Sequence, residues 1–515
     1  MLGHRHPRAR VGIAALVLIA TACAGSTTPN EQVASVATVA PAPPVSGAAT
    51  RPQGAALFDA FQKTVDRRGP YSSLDAFCHT APAPTQALRA TDPGITPTSL
   101  EVAHVRNKLE DLEKLGFGLP VGDVRDMVDT FVGIANNQCG GIYGRKLAVN
   151  TLEVSPISPT VDADRVALCK LATEQQHAVF ALNSSGFVGP GVSCISAEHD
   201  TILVTTDGQS DAAYAASKGR LYSVSFGADE QLRLMARELG KAKVLEGRRI
   251  AIVQSDQPGQ PETIKNGLID VLKNEFDITP TRVDTIKCTG SNCTEGVAAS
   301  AEGVVRDRID VVFPLLNVLS LPGYVQALAK AGLQPAGVKI YNTDFNNQAS
   351  EIVTAKISEL GGPDSGRLYN DATLLDDSPG GAYRLSNFQP GAFSEMCNRE
   401  YAANSKKVTT AYNPKDETQS NAYGMVSTVC AELRLILRGA YAAGPNPTRA
   451  DLATAMQTLG PVDLNYGTPG SLGPDKFSAP DAITSLRYQY PCPTVTKSAS
   501  QSCIVPLAPT RSIER

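Results

Sequence analysis

Residues 123–149, DVRDMVDTFVGIANNQCGGIYGRKLAV, constrain the fold more than any other stretch of the chain. Val124, Met127, Val128, Phe131, Val132 and Ala135 recur at helical spacing and line one face of a long amphipathic helix. The pattern stops near Asn136–Asn137, and Gly140–Gly141 supply a turn with free backbone choice. Leu147, Ala148 and Val149 then begin a strand, and residues 100–105 form a strand upstream. Strand, helix, turn and strand in this order predict a βαβ unit and hence a parallel sheet.

The pattern repeats downstream. Strands are expected at 178–182, 202–205, 249–254, 283–286, 309–315 and 338–341, alternating with helices at 162–173, 191–199, 230–244, 261–276 and 322–331. Residues 368–375 read as a crossing between two halves. Helices follow at 392–405, 419–443 and 447–456, the last with Thr448 as N-cap, and a terminal strand at 483–488. The expected class is α/β, with two Rossmann-like lobes on parallel sheets, a three-strand hinge and an N-terminal helical extension.

The chain begins with a basic segment (Arg5, Arg8, Arg10) and an apolar run at 11–20, too short to span a bilayer comfortably. Ala20-Thr21-Ala22-Cys23 resembles a bacterial lipobox, with Ala20 where Leu is usual. It implies cleavage before Cys23 and lipid attachment to its sulfur; an ordinary secretory cleavage site is the alternative. Both predict export. An acylated Cys23 would anchor the protein to the outer face of the cytoplasmic membrane. Residues 24–50, rich in Ser, Thr, Pro and Ala, read as a tether, with a reach of roughly 25–30 Å.

The Asn-rich helix end and the turn after it carry a resemblance. Asn136, Gly140, Gly141, Ile142, Gly144, Arg145 and Leu147 resemble the first βαβ unit of type I periplasmic binding proteins, in the Leu/Ile/Val-binding group of ABC-importer receptors. The resemblance spans residues 97–490. It implies segments at 1–23 (signal), 24–50 (tether), 51–96 (extension), 97–225 with 366–470 (lobe 1), 226–365 with 471–490 (lobe 2) and 491–515 (disulfide loop and tail).

In such a fold ligands sit outside the carboxyl ends of the strands. The resemblance places a ligand carboxylate at Ser184, Ser185, Thr205 and Thr206, although any one of these hydroxyls would serve equally as a helix N-cap. It places Asp344 on a ligand ammonium, one methylene shorter than the usual Glu, with helix cap or loop carboxylate as the alternative. Asn317 falls over the ligand. Gln257 and Pro258 stand where an aromatic is common, which argues against a plain branched-chain amino acid. Arg106 opens a long charged loop, 106–122, expected to line the cleft.

Ten of the 11 cysteines remain after Cys23, an even number in an exported chain. Cys288 and Cys293 bracket a short loop, as do Cys492 and Cys503. Cys397 and Cys430 lie on consecutive helices, and Cys169 and Cys194 on helices flanking one strand. Cys78 and Cys139 remain to pair. Sequence alone leaves this connectivity open. No Cys/His spacing suits zinc, and no metal or cofactor is expected.

The net charge of −4 gives no sign of nucleic-acid binding. Nucleophile-elbow, HExxH, Walker and dinucleotide-binding motifs are lacking, so the chain reads as a binding protein rather than an enzyme. The leading expectation is a monomeric, membrane-tethered receptor that captures a small polar ligand, an amino acid or related amide or carboxylate, for an ABC permease. A ligand-sensing lipoprotein without a permease is the alternative, and an exported enzyme a third.

Overall fold

The computed structural model describes residues 77–78, 84, 86–119, 121–382, 385, 387–411, 417–492 and 502–513. The expected signal peptide, lipidated Cys23, tether and first helix of the extension lie outside the described residues.

The first sheet holds β1 (Ser99–Asn107), β2 (Lys146–Val154), β3 (Phe180–Asn183), β4 (Ile202–Thr205) and β5 (Leu221–Ser223). All pair in parallel in the order β2-β1-β3-β4-β5. β3 and β4 are buried along their whole length, as expected of strands covered on both faces. The predicted helix is α1 (Val124–Asn137), N-capped by Asp123. It buries Val124, Met127, Val128, Phe131, Ile134 and Ala135. Each large side chain so removed from water contributes about 1.5–3 kcal/mol. Phe131 packs between Phe77, at 5.4 Å between ring centroids, and Tyr401, at 6.3 Å.

The turn after α1 is held by its own motif residues. Asn136 exchanges hydrogen bonds with Leu147, Nδ2 to the carbonyl at 2.9 Å and Oδ1 from the amide at 2.8 Å. Gly141 has φ +71°, and a Cβ there would lie 2.0 Å from the Arg145 carbonyl oxygen. The buried Arg145 guanidinium donates to the carbonyls of Thr96 at 2.6 Å, Arg89 at 2.9 Å and Pro445. The motif is therefore scaffold, stitching the start of the chain to a loop 300 residues later.

The second sheet is mixed. β6 (Ile250–Ser255), β7 (Arg282–Thr289), β9 (Val311–Leu315), β10 (Lys339–Thr343) and β11 (Thr373–Asp376) run parallel. β8 (Asn292–Glu295) hairpins onto β7, with Cys288 and Cys293 opposite each other across the two strands. After the small β12 (Gly460–Asp463) and β13 (Pro469–Leu472) ribbon, β14 (Ala482–Gln489) and β15 (Cys503–Pro506) add antiparallel strands beside β11.

Residues 368–375, expected as a crossing between the two halves at the start of the second lobe 1 segment, instead finish a helix (Glu351–Tyr369) and form most of β11 in the second sheet. The chain returns to the first lobe only after Asp376. There helices Ala392–Ser405 and Glu417–Ala442 pack on α1 in one core. Arg449–Gln457 follows, with Thr448 and Asp451 forming a capping box. The sequence reading passed over helices Val297–Arg306 and Glu351–Tyr369; the latter is broken at Gly362 (φ +81°), before Pro363.

Disulfides join Cys78–Cys139, Cys169–Cys194, Cys288–Cys293, Cys397–Cys430 and Cys492–Cys503. Among the described residues no helix is long and apolar enough to cross a membrane.

Candidate ligand-binding cleft

A cavity of about 380 Å³ lies at the carboxyl ends of both parallel sheets. The strand ends of the first lobe supply Ser184, Ser185, Thr206 and Asp207, and those of the second supply Gln257, Asn317, Asp344 and Asn347. Asp376 and Asp377 enter from the crossing after β11, and Thr428 from helix Glu417–Ala442. Tyr466 forms an aromatic wall. A Cβ on Gly380 or Gly424 would collide with its ring or hydroxyl, so both positions need glycine for the ring to fit.

Six of the eight residues singled out from sequence thus line one cavity. The other two do not. Thr205 is fully buried, its hydroxyl accepting from Asn183 Nδ2 at 2.8 Å and from the Asp207 amide at 3.0 Å. It shapes the strand end instead of meeting a ligand. Arg106 is turned away, paired with Glu110 at 2.6 Å and Glu153 at 3.2 Å. Its loop does reach the cavity, but folds into a 3₁₀ helix (Leu109–Leu115) that presents Leu109 and Leu112, while Leu119 and Val121 follow. Glu110, Glu113 and Lys114 of this loop are exposed, whereas Asp111 is buried with Leu112, and Leu115 faces solvent.

The hydroxyl side of the site is tied to the scaffold. Ser184 Oγ lies 3.1 Å from His104 Nε2, whose Nδ1 lies 3.2 Å from Thr151 Oγ1. Burial, reinforced by Arg106 and Arg125, pushes His104 down to about 3, so the ring is neutral at physiological pH. Ser185 Oγ donates to the Asn107 carbonyl at 3.2 Å. In the second lobe Asn317 Nδ2 donates to the Ser291 carbonyl at 2.8 Å and to Gln257 Oε1 at 3.1 Å. These two amides therefore brace the Cys288–Cys293 hairpin. Its Gly290 approaches the first lobe so closely that a Cβ would lie 2.9 Å from the Ser158 carbonyl oxygen.

Of the carboxylates at the cavity the sequence reading named Asp344 and missed Asp207, Asp376 and Asp377. Asp207 Oδ2 accepts from Asn183 Nδ2 at 2.9 Å and the Gly186 amide at 3.0 Å, and Oδ1 accepts from Asn347 at 3.4 Å. Burial raises its pKa. Asp344 lies deep, keeping part of its surface open to the cavity. Burial and then the neighbouring Asp377 hold its carboxyl well above the usual range. Asp376 is raised likewise by burial, Asp377 and Asp344, and burial brings Asp377 up to about 6. Asp207 stood in view as part of the Thr-Asp-Gly strand end. Asp376 and Asp377 lie one and two residues past the end of the segment taken as a crossing.

Cys169, Cys194 and His199 lie within metal-ligand reach of one another, but both sulfurs are in a disulfide and offer no thiolate.

Neither a protein-family profile nor a curated protein sequence matches the chain. Solved structures do. A solute-binding protein of an ABC transporter from R. palustris, in complex with 4-hydroxybenzoate, matches with a TM-score of 0.57 at 14% identity, over 80% of this chain and 97% of that one. The chain has the type I periplasmic binding-protein fold. Two further type I structures match at 12% identity and a TM-score of 0.53. One is a fatty acid ABC transporter substrate-binding protein from Thermomonospora curvata, over 82% of this chain and 95% of that one. The other is a leucine-binding protein from Thermotoga maritima, over 79% and 97%. At these identities the likeness speaks for the type I fold, and the lining of the cleft is this chain's own.

Proposed function

We propose that the chain is an extracytoplasmic solute-binding protein that closes two lobes over a small polar ligand and delivers it to an ABC importer. The observation that carries this reading is the single cavity at the carboxyl ends of both sheets, lined from each lobe. Its volume suits one small molecule. Three chain crossings between the lobes, after β5, after β11 and between β13 and β14, suit a hinge. The three matched structures named above, each a binding protein, support a role in capture without chemistry. A leader ending at Cys23 supports export and a lipid anchor beside a membrane permease.

Native mass spectrometry of the purified protein, joined to small-angle scattering, tests this. The expected result is a bound compound of low mass, with a radius of gyration that grows when it is dialysed out and shrinks when it is returned. A protein that carries no compound, and whose dimensions respond to none supplied, would contradict it.

A further inference from the structure

We propose, resting on the receptor reading above, that the cleft takes an organic cation, an amine or quaternary ammonium with an apolar part, and rejects carboxylates. Four carboxylates face the cavity, Asp207 from one lobe, Asp344 from the other, and Asp376 with Asp377 from the crossing. Among the described residues the one cationic side chain that lines it is Arg165. That guanidinium is already engaged with Asp162 at 3.1 Å and the Gly186 carbonyl at 3.3 Å.

The donors at the strand ends of the first lobe point the same way. A carboxylate-bearing ligand would need the free N–H groups after β3. The Gly186 amide and the Asn183 side chain instead give their hydrogens to Asp207. The protein's own carboxylate occupies the anion position, so a second anion there would meet repulsion and few donors.

A further acid stands behind the cavity wall. Gly424 and Thr428 line the cavity from one face of helix Glu417–Ala442, and Glu432 is the next residue on that face. Its Cα–Cβ bond tilts towards the helix N-terminus, and so towards Thr428. Glu432 is fully buried, and neither carboxylate oxygen has a hydrogen-bond partner. Its pKa is raised by burial and then by Asp207. Leu112, Val121, Met425 and the Tyr466 ring supply an apolar part of the lining. Carboxylates beside an aromatic face are the chemistry that recognises an ammonium group.

Burial and crowding favour the protonated form of these acids, with Asp377 brought up to about 6, and a bound cation favours their ionised form. Binding should therefore strengthen from pH 5 to pH 8, with Asp207, Asp344, Asp376, Asp377 and Glu432 as the titrating groups and Arg165 as the fixed charge facing them.

The test is a thermal-shift screen of the mature protein, freed of any bound compound by partial unfolding and refolding. The probes are choline, putrescine and benzylamine, set against benzoate, glutarate and hexanoate. At least one cation should raise the melting temperature by several degrees at pH 8, less at pH 5, and the carboxylates should not. The isosteric variants Asp344→Asn and Asp376→Asn, checked for folding by circular dichroism, should each cut that shift by more than half. If a carboxylate binds and every cation fails, the inference is overturned while the receptor reading stands. If neither class registers and no compound was carried through purification, both are overturned. A cation shift unaltered in both variants would also overturn the assignment to these acids.

Discussion

Asn347 of the second lobe donates through Nδ2 to Oδ1 of Asp207 in the first, at 3.4 Å across the cleft. The bond is long and Asn347 is exposed, so it is a weak latch that holds the lobes together without locking them. It also couples closure to the acid that takes up the strand-end donors of the first lobe. Removing it should loosen the closed state at little cost to folding. Asn347→Gly, which keeps the left-handed backbone at this position (φ +60°), is expected to lower ligand affinity by about 2- to 10-fold, the worth of one partly solvated hydrogen bond, and to leave the melting temperature of the ligand-free protein nearly unchanged. Titration calorimetry with the co-purified compound reads the first, and a melting curve the second.

Asp344 carries more. It keeps surface in the cavity, and its carboxylate accepts from the Ala349 amide at 3.3 Å. Asp344→Ala should weaken binding of a ligand that bears an ammonium group by roughly 2–5 kcal/mol, the loss of a desolvated charge partner. Unchanged binding of the identified ligand would remove Asp344 from the site.

His104 makes stability depend on pH in a definite direction. The folded ring titrates at about 3 and the unfolded one near 6.5. Between these values the unfolded chain takes up a proton that the folded chain does not. The stability held above 6.5 is therefore lost as the pH falls towards 3. The raised carboxylates run the other way, with Asp377 at about 6 favouring the folded state on acidification from there. Comparing His104→Gln with its parent in the same buffers isolates the histidine. The variant should lose less stability than the parent between pH 7 and pH 4 in urea titrations, and equal losses would contradict the assignment.

Arg145 separates scaffold from site. It lies outside the cavity lining, and its guanidinium satisfies three backbone carbonyls from distant parts of the chain. Arg145→Ala should destabilise the fold by about 0.5–1.5 kcal/mol for each of these part-buried hydrogen bonds lost, without changing the ligand dissociation constant of the protein that remains folded. Denaturant unfolding and calorimetry together check both halves.

The Cys397–Cys430 bond closes a loop of 33 residues within the core of the first lobe. Replacing both cysteines by alanine should cost about 3–4 kcal/mol through the freedom returned to the unfolded chain. Equilibrium unfolding under non-reducing conditions measures it.

Much of this architecture was legible before any coordinates, for a physical reason. Helix faces such as that of α1 and fully apolar strands such as β3 and β4 announce themselves by period, and the Gly140–Gly141 turn by its backbone needs. What sequence did not show depends on where a side chain turns. Arg106 stands beside a loop that lines the cleft, yet two glutamates draw it away. Thr205 sits at the right strand end but points into the sheet. Asp376 was hidden because β11, a short strand next to a helix broken by Gly362 and Pro363, carries too few residues to display a period. Pairing with β10 on one side and β14 on the other decides its place, and the pairing with β14 is not local in sequence. The carboxylates converge only once both sheets are assembled.

The account depends on a small molecule held between Asp207 and Asp344. The most direct measurement is a crystal structure of the protein grown with the compound it retains through purification. The expected result is one molecule in the 380 Å³ cavity, contacting residues of both lobes, with a positively charged group towards Asp344, Asp376 and Asp377. A compound seated outside the cleft, or touching one lobe alone, would contradict it.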